Sequence, residues 1–371
     1  MRAAVLNGIR SLTLDERPEP ALSAHDVRVR VDVVGLCGSD LSYFARGANG
    51  DFVVQEPLVL GHEIIGTVTE RGALADAAIR VGDRVAVHPA WPSPRAGAST
   101  IDDDLASEPS SFLGSASTSP HTDGGLQEQL VLRPERLRRV PESLDSRTAV
   151  LAEPMAVVLH ALANAGDAIR GADVTVCGAG PIGLLSIVAI RQAGAASITV
   201  TDVRAEALAL AQRLGADQTV DVSVDRAIEA SASVVVEASG VPASLEAAVR
   251  IARTGGVIIQ LGMLPRDARP MTLSGLVVKA LTLAGSHRFG GELDASLVAL
   301  ERAPECAEIV TAFVPLASAA DAFDAVADPA IAGKVVVDVS GMLTRCRSRV
   351  SRRRQRPGHR GARRGHAPWR G

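Results

Sequence analysis

Val174-Thr175-Val176-Cys177-Gly178-Ala179-Gly180-Pro181-Ile182-Gly183 is the stretch that decides how this chain folds. Residues 174–177 read as a short buried strand, and the apolar run after Pro181 reads as a helix to about residue 193. Between them Gly178 permits a tight turn, Gly180 lets a pyrophosphate approach the backbone, and Gly183 lets helix and strand pack closely. Pro181 suits a first helical turn, where no amide donor is lost. Unpaired amides and the helix dipole at that end, around Ile182, favour phosphates. The next strand, 197–201, leads into Asp202, 19 positions after Gly183, where an acid can accept both ribose hydroxyls. Gly178, Gly180, Pro181, Ile182, Gly183 and Asp202 are therefore candidate dinucleotide contacts, the plain alternative being a structural Gly-rich turn. A carboxylate at 202 would repel a 2′-phosphate, which favours NAD over NADP. Arg204 pulls the other way if it holds such a phosphate, and is otherwise an exposed helix-start residue or one stacked on adenine.

Working outward, helical and strand patterns alternate: helix 153–163, strand 174–177, helix to 193, strand 197–201, helix 205–214, strand 233–238, helix 242–252, strand 256–261, and a further strand at 281–284. Strands separated by helices imply right-handed crossovers and a doubly wound parallel sheet, the Rossmann arrangement within the α/β class. Before it, residues 1–85 hold β-type runs at 2–6, 26–34, 63–69 and 83–87, punctuated by Gly35, Gly61 and Gly82. Residues 89–124 form a Pro-, Ser- and Gly-rich lobe without clear periodicity, and a strand at 334–339 closes the folded pattern. The parallel-sheet domain thus sits between two pieces of a β-rich domain.

The chain has 371 residues, 47% hydrophobic and 22% charged, enough for two cores. No apolar stretch reaches the ~18 residues of a membrane span. The first residues run into a strand pattern with no basic-then-apolar leader. Cys37, Cys177, Cys306 and Cys346 are too scattered for a disulfide framework, so a cytoplasmic location is expected. Basic residues are nearly all arginine, Lys279 and Lys334 being the only lysines, which reads as the bias of GC-rich coding. Residues 342–371 carry 11 arginines and no acid, so the net −3 of the chain becomes −14 for residues 1–341. That Arg-rich tail is expected to be disordered. A nucleic-acid-binding arm is one reading, and a dispensable extension is the plainer one, so no nucleic-acid partner is expected.

Four further residues carry chemistry. Cys37 follows a strand, His62 and Glu63 open another, and Glu153 starts the helix that enters the parallel-sheet domain. A thiolate, an imidazole and carboxylates suit zinc. Singly, Cys37 could be a buried core thiol, His62 a satisfied histidine and Glu153 a helix-start acid, and spacing leaves the choice open.

The segments Cys37–Tyr43 (CGSDLSY), Glu56–Gly66 (EPLVLGHEIIG), Gly82–Val85 (GDRV) and Leu151–Pro154 (LAEP), then Gly178–Gly183, are similar in kind and order to those of the zinc-dependent medium-chain alcohol dehydrogenase superfamily. The stretch from Asn49 to Glu63, with Phe112-Leu113-Gly114-Ser115 and His121-Thr122-Asp123-Gly124-Gly125, resembles the sorbitol dehydrogenase and L-idonate 5-dehydrogenase branch. The resemblance covers about residues 1–341. It implies a GroES-like β-rich catalytic domain at 1–152 and 286–341, and a Rossmann NAD-binding domain at 153–285. It implies Cys37, His62 and Glu63 as ligands of one catalytic zinc, with Glu153 a ligand or a neighbour touching the bound water. Ser39 matches the residue that takes the alcohol proton, Tyr43 a substrate contact, and Arg288 and Phe289 further pocket residues. The implied reaction moves a hydride from a secondary alcohol of a sugar acid or polyol to NAD, with zinc as Lewis acid. L-idonate is the first substrate expected and sorbitol or xylitol the alternative. A zinc-free quinone or enone reductase, or a non-enzymatic nucleotide-binding protein, stand as rivals. The family implies a homotetramer or dimer and no membrane partner.

Two departures matter. The lobe at 89–124 has no cysteine, whereas many relatives hold a second, structural zinc there with four, so no structural zinc is expected. Ser42 stands where this branch has a histidine, so a proton must leave by another route, through Ser39 or Glu153.

Overall fold

The computed structural model describes residues 1–91, 111–224, 231–328 and 331–341. The greater part of the lobe, 92–110, and the Arg-rich tail, 342–371, lie outside the described residues.

The stretch that opens the parallel sheet folds as its sequence implies. Strand Asp173–Cys177 runs through a turn with Gly178 at φ 101° into the helix Pro181–Gln192. A Cβ on Gly183 would stand 1.8 Å from the Gly178 carbonyl oxygen, so the third glycine is required for the close approach of helix to strand. Asp173–Cys177 is the first of six parallel strands, which numbered in chain order lie 3-2-1-4-5-6 across the sheet. The reversal of strand order beside Asp173–Cys177 opens a crevice at the carboxyl ends, where ligands of such sheets bind. The third strand, Gln218–Asp221, has no apolar alternation and is absent from the sequence expectation. It is a short, partly exposed edge that forms because it pairs with Ser197–Asp202. The fifth begins earlier than its sequence suggests, at Ala252–Gln260, with a register shift that absorbs the polar Arg253-Thr254-Gly255 turn signal.

The β-rich part is a seven-stranded sheet in which Val27–Gly35 is central, flanked by Glu63–Arg71 and Lys334–Asp338. Alternation of valines along Val27–Gly35 sends side chains into a core with Leu6, Leu58, Leu126 and Phe323. Val310–Pro315 is a further strand, parallel to Lys334–Asp338, that sequence periodicity does not show. Of its residues only Val310 is fully buried, and it is ordered by pairing with Lys334–Asp338.

A second core gathers the parallel sheet, the helix Ala152–Ala163 and the helix Leu293–Glu301, together with Phe289. The chain therefore keeps packing on the parallel-sheet side well past residue 286. No helix among the described residues is long and apolar enough to cross a membrane.

One buried histidine ties the parts together. His88, just beyond strand Arg84–Val87, accepts the Ala90 amide on Nδ1 (3.2 Å), so its Nε2–H donates to the Gly290 carbonyl (2.9 Å). Burial pushes its pKa from 6.5 down to about 4, with nearby Arg136 adding to the effect. The folded chain thus keeps His88 neutral where the unfolded chain takes up a proton. Its contribution is fully present above about pH 6.5 and fades as pH falls toward 4, a loss of about 3 kcal/mol at most. Urea denaturation should show the stability difference between the parent and His88→Gln shrinking as the pH is lowered across that window. A difference that stays constant with pH contradicts the assignment.

Candidate active site

The site forms where two central strands end. In the antiparallel pair Val27–Gly35 and Glu63–Arg71, Gly35 lies opposite Glu63. Beyond Gly35 the chain turns into the helix Gly38–Arg46, with Cys37 at its N-cap. The ligand atoms of Cys37, His62 and Glu63 lie within 4.8 Å of one another, the one such cluster of three among the described residues. A thiolate, an imidazole and a carboxylate at that spacing could hold a zinc ion with a position left for substrate.

Glu63 is the most constrained of the three. A Cβ at residue 35 would lie 2.0 Å from Glu63 Oε2, so only glycine lets this carboxylate lie across the neighbouring strand. On the far side Lys334 Nζ donates to Glu63 Oε1 (2.6 Å) and to the Leu36 carbonyl (3.2 Å). Both side chains are buried, at 1% and 3% exposure. Burial opposes the ammonium charge, but Glu63 and Cys37 outweigh it and leave Lys334 raised above its ordinary value. Glu63 Oε2 is buried with no partner. An orphaned carboxylate oxygen is costly, and this one lies within the cluster, where a cation would satisfy it.

Asp40, fully buried, holds the other two ligands in place. Its Oδ2 accepts the Cys37 amide (2.9 Å), its Oδ1 accepts the Gly61 amide (3.0 Å), and Oδ1 lies 3.6 Å from His62 Nδ1. This contact leaves Nε2 as the ring nitrogen for an ion, a carboxylate–histidine pairing typical of metal sites. Burial pulls the His62 pKa down, but Asp40 and Cys37 outweigh that and leave it raised well above 6.5. Metal binding must displace that proton. Glu153 completes the buried set. Burial pushes its carboxyl up to about 7, helped by Glu63 and opposed by His62 and Lys334. Asp40 and Lys334 are absent from the sequence-based candidates.

The remaining candidates separate. Ser39 is half-buried on the first turn of Gly38–Arg46, and its hydroxyl has no hydrogen-bond partner among the described residues. Ser42 is committed: its Oγ donates to the Ala48 carbonyl (2.6 Å) and accepts from Arg46 (2.6 Å). Tyr43 is buried, its hydroxyl meeting Ser115 Oγ (3.1 Å) and the Ala116 amide (3.2 Å). Phe289 is a core residue with its ring centroid 4.6 Å from that of His88. Arg288 instead places its guanidinium carbon 4.4 Å above the Phe112 ring, and Phe112 lies 5.3 Å from the His62 ring. Phe112 is an unassigned member of the site.

At the dinucleotide end, a Cβ on Gly180 would meet nothing within 4 Å, which leaves its backbone open to a ligand. Ile182, beside it, is partly buried against the helix's own core. Asp202 Oδ2 accepts the Ala179 amide (2.7 Å), and Oδ1 takes the amides of Val203 and Arg204 and the Arg204 guanidinium (3.2 Å). Glu237, fully buried, accepts from the amides of Ser239 and Gly240 and from the Gln260 side chain, and so shapes the loop against Gly178.

Comparison with known proteins agrees with this arrangement. Residues 23–142 match the alcohol dehydrogenase GroES-like domain, and residues 181–302 match the zinc-binding dehydrogenase family. D-xylulose reductase A of Aspergillus oryzae is 32% identical over 335 residues, 86% of this chain and 91% of that protein. Sorbitol dehydrogenase of Gallus gallus is 32% identical over 339 residues, 87% of this chain and 92% of that protein. The chain belongs to the zinc-dependent medium-chain alcohol dehydrogenases, in the sorbitol dehydrogenase branch. L-idonate 5-dehydrogenase from Escherichia coli superposes with a TM-score of 0.84 at 28% identity, over 91% of this chain and 98% of that one. This is a zinc-binding dehydrogenase built from a GroES-like and a Rossmann part.

Removing Lys334 would strand a buried carboxylate beside the metal position, a change that costs about 3–5 kcal/mol when nothing else neutralises the charge. Lys334→Met should therefore lower the melting temperature of zinc-stripped protein more than that of zinc-loaded protein. Equal losses in the two forms, read by differential scanning fluorimetry, would sink this account.

Proposed function

We propose that the chain oxidises a secondary hydroxyl of a sugar acid or polyol, with L-idonate-type aldonates as the leading substrates. The observation that carries this reading is Arg288. Its guanidinium stands over Phe112, which abuts His62, so a permanent positive charge lies one ring away from a metal ligand, where a substrate carboxylate would meet it. Sorbitol- or xylitol-type polyols are the second reading, favoured equally by the relatives of this chain.

Cys37, His62 and Glu63 would hold the zinc, with Glu153 beside them. Bound zinc supplies Lewis-acid polarisation of a hydroxyl oxygen, and bound NAD supplies the hydride acceptor. The chain's own groups do the rest. Asp40 orients His62 and Cys37, and Lys334 balances Glu63. Ser39, unpartnered and half-buried, takes the hydroxyl proton and passes it outward, because the Ser42 proton is held by Ala48. Glu153, buried with a pKa of about 7, is the second proton-holding group. Gly178, Gly180, Pro181, Ile182 and Gly183 seat the pyrophosphate, and Asp202 takes the ribose hydroxyls. Arg204 is already engaged with Asp202, which supports NAD over NADP.

We also propose a homo-oligomer, dimer or tetramer. Thr282–Gly285 is an edge strand of the parallel sheet, and Val277 and Val278 beside it are 85% and 82% exposed. Free thiols at Cys37, Cys177 and Cys306 support a cytoplasmic setting.

Cys37→Ser and His62→Ala should each lose bound zinc, read by metal analysis, together with turnover. Normal activity in either variant after chelation overturns the ligand assignment. NADH absorbance across a panel of L-idonate, sorbitol and xylitol, run with NAD and NADP side by side, tests substrate and cofactor together. Higher efficiency with NADP, or turnover of none of the three, would overturn the corresponding part.

A further inference from the structure

The turn that carries Arg288 is gripped from both parts of the molecule. From the β-rich side, His88 Nε2–H donates to the Gly290 carbonyl at 2.9 Å. From the other side, the Gly290 amide donates to Glu292 Oε2 at 2.7 Å, and Glu292 Oε1 bonds His160 Nδ1, on the helix Ala152–Ala163, at 2.7 Å. The Gly290 residue therefore has both its polar backbone groups fixed, and the rings of Phe289 and His88 pack against each other beside it. Arg288 itself has φ 58°, a left-handed conformation that an L-residue keeps only where its surroundings impose it.

The segment that carries His88 also supports the ring beneath Arg288. Phe112 pairs with Ala90 in a two-stranded sheet, and the Leu113 amide donates to the Pro89 carbonyl at 3.0 Å. Residues 88–90 thus hold the Phe112 platform through backbone pairing and the Arg288 turn through the His88 imidazole. The spacing of guanidinium and ring is set by this one short segment.

We infer that His88 is a positioning residue for the substrate: through the Gly290 carbonyl, with Glu292 and His160 opposite, it fixes Arg288 over Phe112 beside the metal ligands. The inference rests on the reading of Arg288 as a substrate contact. The other ring nitrogen, Nδ1, accepts the Ala90 amide within the same segment, so removing the imidazole acts on the Arg288–Phe112 end of the substrate site. A Leu side chain at 88 fills the space and deletes the donor, whereas Gln places an amide N–H near the position of Nε2.

Steady-state kinetics on the zinc- and NAD-loaded enzyme, with L-idonate and with sorbitol, tests this in His88→Leu, His88→Gln, Arg288→Ala and the double variant His88→Leu/Arg288→Ala. His88→Leu should raise the substrate KM about tenfold or more while zinc content and the KM for NAD stay within about twofold, and His88→Gln should recover most of the loss. In the Arg288→Ala background, His88→Leu should add no more than about twofold, because the two residues act through one contact. If Arg288→Ala raises KM but His88→Leu does not, or if their effects multiply, His88 does not act through Arg288 and the inference falls alone. If Arg288→Ala leaves KM unchanged, the substrate reading of Arg288 falls with it. Should His88→Leu fail to fold, Glu292→Ala, at the more exposed end of the same grip, must show the KM-only signature, and its absence overturns the inference equally.

Discussion

The buried pair of Glu63 and Lys334, laid across Gly35, is the contact on which the site depends. Three strands must meet for it to exist: Val27–Gly35 supplies the missing side chain, Glu63–Arg71 the carboxylate, and Lys334–Asp338 the ammonium. The last strand comes from the far end of the folded chain, so the metal position is complete only after the β-rich sheet closes. A buried ion pair rarely adds net stability over an apolar filling. Its value here is chemical. One carboxylate oxygen is held by Lys334, and the other is left for a cation.

Electrostatics is graded outward from that pair. Asp40 accepts the Cys37 amide and the amide of Gly61, which precedes His62, so the two ligands are oriented by the backbone as well as by their own side chains. Phe112 follows as an apolar screen, and Arg288 lies beyond it. The dinucleotide crevice uses the same device at its own end: Asp202 and Glu237 are each bound to two or more amides of the loops they shape. Carboxylates that accept backbone N–H groups keep their charge at low cost. Acids thus fix the loops of this enzyme.

The parallel sheet was legible in the sequence because its central strands, Asp173–Cys177 and Ala232–Glu237, are mostly buried β-branched runs and the first leads straight into a turn glycine, and those signals are local. Gln218–Asp221 and Val310–Pro315 were not, since neither has a continuous apolar face and both are ordered by a neighbouring strand. The same distinction divides the site. Cys37, His62 and Glu63 lie in short motifs and their ligand atoms come together, while Tyr43 and Phe289 occupy buried positions that their motifs do not disclose. Lys334, Phe112 and His88 were missed for a physical reason. Each acts on a residue more than forty positions away, and no periodicity records such a partnership.

One compositional signal did record it. In a chain whose basic residues are nearly all arginine, only Lys279 and Lys334 are lysine, and both amines are enclosed by acceptors. Lys279 Nζ donates to the carbonyls of Val249, Arg250 and Ala252, closing the end of the helix Pro242–Ile251, and Lys334 Nζ donates to Leu36 and Glu63. A guanidinium is a wide planar fork, whereas an ammonium is a compact point charge with three donors that can converge on a small space. Drift toward arginine is tolerated wherever the side chain points to water. It fails where the charge must fit between a helix end and a strand, or between a carboxylate and the strand that carries it. A lysine retained against such a bias therefore marks a place where geometry, and not charge alone, is required.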